Sequence, residues 1–326
     1  MTDTVDDTAP GLDDTEREIL ITAIRDAART NSGAALDHTL DEIGWCDALD
    51  VAPRVVVEAL FDQLGRTGTT SGALSRLLRH ALALPDDAPD SALLPAHGSS
   101  APPGSPDSVR GLGTHDLASA PHVVVVAQEG ATSCWRALPI GALELRSVGG
   151  LDPRLGLVDV SATTVTTGAG TPIEASWDDA VASCRLALGH ELVGMMRTML
   201  DLARTHALDR VQFDRPIAGF QAVRHRLAES LVAAEAAQAA LDGAWDDGSA
   251  VAAALAKAVC GESARTVRRH CQQVLAGIGF TAEHDLHHFV RRSIVLDGLF
   301  GNAHTISTEV GARVLATREL PALLPL

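Results

Sequence analysis

Tyrosine is absent from this 326-residue sequence, aromatic residues make up only 3% of it, and Lys257 is its only lysine. With 46% hydrophobic residues and so few rings, the interior must be filled largely by Ala and Leu. That favours closely packed helices over a β sandwich. No apolar run approaches the roughly 20 residues a membrane helix requires. Clustered positive charge is also missing: the net charge is −16, which argues against a nucleic-acid partner. Cys46, Cys134, Cys184, Cys260 and Cys271 form no CxxC and no zinc spacing, so they are expected to be reduced thiols of a cytoplasmic protein. The acidic, polar start, MTDTVDDTAPGLDDTERE, is not that of a secretory signal.

The length implies two or three packed units. Residues 1–13 read as a disordered acidic lead, and 14–85 as a helical N-terminal domain whose first helix is capped at Asp14 or Thr15. Helical patterns follow at about 35–45, 53–65 and 71–84, with Pro53 in a first turn and Gly65 as a stop. From 86 to 121 the density of Pro, Gly, Ser and Asp predicts a linker or mobile loop without strands. Residues 122–176 carry short apolar runs that predict a small antiparallel sheet or partial barrel, beginning with His122–Ala127. The remainder, 177–326, reads as long helices joined by short loops, expected to pack as an antiparallel bundle. The fold class is therefore mainly α, with a helical N-terminal domain, a small β middle domain and a C-terminal bundle of long helices.

Two motifs stand at the ends of long helical segments. The first, RVQFDRPIAGFQ (210–221), places Arg210 on a loop, where a guanidinium can make paired charge-assisted bonds to phosphate oxygens. An ordinary surface arginine is the plainer alternative. The second, Gln273-Val-Leu-Ala-Gly-Ile-Gly-Phe280, supplies glycines that let backbone amides approach a ligand closely. It is followed by EHDLHHF, whose His284, His287 and His288 have helical spacing but no indicated metal-ligand partner. Glu283 and Asp285 are expected to cap the next helix.

The order and spacing of these motifs resemble the C-terminal half of an acyl-CoA dehydrogenase, and GGLDPRLGLVDVS resembles a strand pair of that family's middle domain. The resemblance implies FAD as cofactor, with Arg210, Gln212, Phe213, Gln273 and Gly277 touching the dinucleotide across a subunit interface. Ala276 and Asp214 replace family glycines; Asp214 would either put negative charge near the pyrophosphate or pair with Arg215. It further implies α,β-dehydrogenation of an acyl-CoA thioester, with an electron-transfer flavoprotein as acceptor.

Two family elements are missing. No TEPxxGSD-like segment, which holds the flavin ring, is found in the middle region. Both family positions of the catalytic glutamate are also vacant, one matching Gly301 in Phe300-Gly301-Asn302-Ala303 and the other Cys184. The chemistry needs a base to take the α-proton as hydride leaves the β-carbon. Glu191 is the nearest substitute, ahead of His190 and Asp178, and a merely structural Glu191 is the competing reading. The resemblance thus points to a degenerate subunit of a heteromer, similar to steroid-catabolic members, that contributes FAD contacts to a second acyl-CoA dehydrogenase-like subunit. A self-sufficient homo-oligomer using Glu191 and a flavin-free helical scaffold remain as alternatives.

Overall fold

The computed structural model describes residues 12–105, 107–130, 132–163 and 170–318. The lead expected at 1–13 falls largely outside them. Among the described residues five helices come first: α1 (Asp14–Thr30), α2 (Ala34–Ile43), α3 (Trp45–Val51), α4 (Pro53–Thr67) and α5 (Ala73–Ala81). Asp13, not Asp14 or Thr15, caps α1: its side chain accepts from Glu16 N–H while the Glu16 carboxylate accepts from Asp13 N–H. The pattern expected to run unbroken to Trp45 is divided at Gly44, which adopts a left-handed conformation (φ 75°). Helix α4 runs past Gly65 to Thr67 and ends on Gly68 (φ 65°).

The middle of the chain builds two small sheets. Strands β1 (Leu94–Pro95), β2 (Ser108–Gly113), β5 (Glu144–Ser147) and β6 (Val158–Thr163) pair antiparallel in the order β1-β2-β6-β5. Strands β3 (His122–Glu129), β4 (Thr132–Pro139) and β7 (Thr171–Pro172) form the other, in the order β3-β4-β7. Segment 86–121, expected to be strand-free, therefore supplies β1 and β2, with Val109 opposite Ala162 and Gly111 opposite Val160. Gly111 is needed there because a Cβ would run into the Leu94 carbonyl oxygen.

Helix α6 (Trp177–Asp209) is the axis of the molecule. Ser176 caps it by accepting from Asp179 N–H, and Asp178 and Asp179 place negative charge at its positive end. Its middle, from Leu186 to Met196, is buried all round, between the N-terminal helices and the rest of the bundle. The other bundle helices are α7 (Gln221–Asp247), α8 (Ala250–Leu275), α9 (Leu286–Gly298) and α10 (Ala303–Thr317), with a two-residue hairpin, β8 (Val211–Gln212) and β9 (Arg215–Pro216), between α6 and α7. Pro216 lies in β9, and α7 opens only at Gln221. One continuous apolar core joins the N-terminal helices to the bundle and takes in Leu94, Leu112, Val124 and Val126 of the sheets.

Candidate functional site

The first motif is an exposed hairpin at the far end of α6. Arg210 is the C-cap residue, its N–H donating to His206 O and its carbonyl accepting from Ile217 N–H. Phe213 (φ 54°) and Asp214 (φ 60°) form the turn between β8 and β9, both in the left-handed region that short hairpins require. Phe213 is 86% exposed. Its ring meets Phe220 edge-on at 6.0 Å, and the Arg215 guanidinium stacks 4.2 Å from the centre of the same Phe220 ring. Of the two alternatives for Asp214, the pairing with Arg215 is not formed among the described residues, where Arg215 turns to the aromatic face. Arg210 makes no ion pair among the described residues, which leaves its guanidinium available.

The second motif closes α8. Gln273, Ala276 and Gly277 are exposed, and Phe280 is 71% exposed. Ala276 sits at φ 50°, ψ −133°, a conformation natural to glycine. A Cβ on Gly277 would meet nothing within 4 Å, so the backbone here is open to an approaching group. The next helix is capped by His284, whose Nδ1 accepts from Leu286 N–H at 3.1 Å, and not by the carboxylates of Glu283 or Asp285. Among the described residues no cluster of three His, Cys, Asp or Glu side chains is arranged to hold a metal. The two motifs lie at one end of the bundle: His206 is held below its ordinary pKa by burial, then by the charges of His284 and Arg210.

An unpaired guanidinium, the amide of Gln273, an open glycine backbone and exposed rings are a donor set suited to a dinucleotide's pyrophosphate and flat bases. Asp214 and the Ala276 methyl are the discordant groups. Within this chain the set is exposed on the surface.

Neither position matching the family's glutamates carries a charged side chain, and buried cations lie near them. Cys184 is wholly buried, and burial drives its thiol well above the ordinary range. Gly301 (φ 92°) lies beside Arg185, whose Nε donates to Phe300 O at 3.0 Å. Nearby, fully buried Lys257 donates to Asp297 O at 2.9 Å, and burial brings its pKa down to about 8. Sequence reasoning missed these two buried cations, although the placement of the only lysine mid-helix among alanines was a visible signal.

Glu191 is 5% exposed and meets no hydrogen-bond partner among the described residues. Burial pushes its pKa up to about 7, with the Arg292 charge opposing and Asp152 adding to the shift. It lines a cavity of about 30 Å³ with Phe61, Leu64, Leu155, Leu296 and Leu299, room for about one water. Arg292, behind it, is spent on Asp152 (2.6 Å) and Thr69 O (2.7 Å). His190 is also buried, accepts from the Trp245 indole at 3.0 Å, and is held neutral by burial at about 4. Asp178 is exposed in the first turn of α6, where its charge acts on Arg185.

Residues 178–315 match the family model described as "Acyl-CoA dehydrogenase, C-terminal domain". This helical region is thus an acyl-CoA dehydrogenase C-terminal domain. Among curated relatives, Acyl-CoA dehydrogenase FadE34 of Mycobacterium tuberculosis is 36% identical over 162 residues, 46% of this chain and 23% of that protein. Acyl-CoA dehydrogenase IpdE2 of Mycolicibacterium smegmatis is 35% identical over 108 residues, 33% of this chain and 35% of that protein. The matches thus span about a quarter to a third of those relatives' length. The acyl-CoA dehydrogenase fold extends over nearly the whole chain. A structure described as "Tcur3481-Tcur3483 steroid ACAD G363A variant" superposes with TM-score 0.76 at 19% identity, covering 93% of this chain and 99% of that one. The ChsE4-ChsE5 complex from Mycobacterium tuberculosis gives 0.73 at 19% identity, covering 94% and 97%. No helix among the described residues is long and apolar enough to cross a membrane.

Proposed function

We propose that this chain is one subunit of an FAD-dependent acyl-CoA dehydrogenase, and that it lends dinucleotide contacts to a second, catalytically equipped subunit. The observation that carries this reading is the outward-facing pair of motifs: Arg210 without an ion-pair partner, Phe213 86% exposed and an open backbone at Gly277. Arg210 and Gln212 would hold phosphate, Phe213 would pack on the nucleotide, and Gln273 and Gly277 would present amides to its adenosine end. FAD, when bound, supplies the acceptor for hydride leaving the β-carbon of the thioester. This chain offers no carboxylate at 184 or 301 to take the α-proton, so that proton must go to the companion subunit. The two solved assemblies it resembles, a "steroid ACAD" and the ChsE4-ChsE5 complex, support a heteromer and a bulky steroid-like thioester as substrate. An electron-transfer flavoprotein and a cytoplasmic setting complete the reading.

Purification of the chain alone and with a co-expressed companion tests it. The chain alone is expected to be colourless and the complex yellow. Arg210→Ala should strip flavin from the complex; full flavin retention by that variant would sink the assignment.

The second reading, a self-sufficient homo-oligomer, draws on Glu191, whose pKa near 7 suits a general base. The one-water cavity around it speaks for a structural carboxyl instead. Flavin that bleaches with an acyl-CoA in the chain alone, and fails to bleach in Glu191→Gln, would reverse that preference.

A further inference from the structure

We infer that this chain closes its own sheet–bundle cleft with residues 97–100, so that it has no room for a flavin ring of its own and can serve a dinucleotide only from outside. The inference rests on the trans reading above and sharpens it. A ring held by the middle region and worked on by a base at 184 or 301 would have to lie between the sheets and the end of α9. There the two walls are bonded to each other. Gly98 N–H donates to Gly298 O at 2.9 Å, and His97 Nε2 lies 3.3 Å from Val295 O. The same loop is tied to the first turn of α6, where the Trp177 indole N–H donates to Ser100 O at 2.9 Å.

An aromatic ring between two walls needs them about 7 Å apart, twice a van der Waals contact of roughly 3.5 Å. A direct backbone hydrogen bond leaves no such gap. Gly298 permits the closure: any Cβ there would overlap the His97 ring, which lies on it with its other side toward solvent. Gly98 itself takes φ 83°, which turns its N–H onto α9. A cavity of about 30 Å³ remains beside Glu191, and a larger one of about 190 Å³, lined by Gly68, Asp152, His288 and Arg292, lies toward the start of α9. The seal is built of hydrogen bonds from three separate segments, so a ligand would have to break it to enter.

The test uses the full chain with two probes, FAD and ADP, and with amide hydrogen exchange. FAD and ADP are expected to bind within about threefold of each other, with the bound flavin as open to iodide quenching as free FAD. The Gly98 amide should exchange at least about 100-fold more slowly than in unstructured chain. The double variant His97→Ala/Trp177→Phe should speed that exchange about tenfold or more. Wild-type flavin shielded severalfold from iodide, or a Gly98 amide exchanging at the unstructured rate, would overturn the closure. If neither nucleotide binds the chain alone, the exchange rate of Gly98 by itself decides whether the cleft is sealed, and flavin retention by the Arg210→Ala complex decides the trans reading.

Discussion

Gly194 of α6 rests directly on the carbonyl oxygen of Asp62 in α4, so closely that a single methyl group would overlap it. The contact is reciprocated one turn away, where Gly65 of α4 lies on the carbonyl oxygen of Glu191. The two helices thus cross backbone to backbone. Gly194→Ala and Gly65→Ala are each expected to cost about 1–3 kcal/mol, the range for overpacking. Gly277→Ala, whose Cβ meets open space, should change stability by less than about 0.5 kcal/mol. Denaturant midpoints of the three variants check the ordering.

Ala276 occupies a conformation that costs an L side chain about 1 kcal/mol or more. Ala276→Gly should therefore raise the melting temperature, a gain offset in part by unfolded-state entropy. A thermal melt that moves downward would show that the methyl group packs on something essential.

Glu191 gives a pH signature. Its folded-state pKa of about 7 exceeds the ordinary 4.5, so the folded chain holds this proton more tightly than the unfolded one. Its contribution therefore favours the fold fully below pH 4.5 and is lost as pH rises to about 7. At about 1.4 kcal/mol per pKa unit, the loss is on the order of 3 kcal/mol. Glu191→Gln should abolish that slope and be the more stable protein at pH 8. Chemical denaturation at pH 4.5, 6 and 8, compared between the two proteins, measures it; parallel profiles would exclude Glu191 as the source.

Arg292 and Asp152 are 3% and 5% exposed and join α9 to the sheet-side turn. Arg292→Met alone should cost about 3–5 kcal/mol, since it strands a buried carboxylate. The pair Arg292→Met/Asp152→Leu should recover most of that loss. A double-mutant cycle on unfolding free energies reads the coupling directly.

The long helices were legible because each repeats an apolar stripe over several turns, and the two motifs because their order survives substitution. Strand β2 was hidden: SVRGLG has few β-branched residues, and its partner β6 lies some fifty residues away, so its pairing is a tertiary fact. Gly65 misled for a related reason, since the sequence shows a glycine but not the helix pressed on it. The turns at Phe213–Asp214 and Ala276 were concealed because non-glycine residues hold positive φ there. Buried Arg185 and Lys257 escaped notice because charged side chains are rarely interior.

Lys257 has a practical consequence. It carries the only ε-amino group in the sequence, and the fold leaves that group no contact with water. A reagent that acylates lysine side chains can reach it only when α8 separates from its neighbours. The rate of labelling at this one atom would therefore clock the opening of the bundle, with no engineered probe and no background from other lysines.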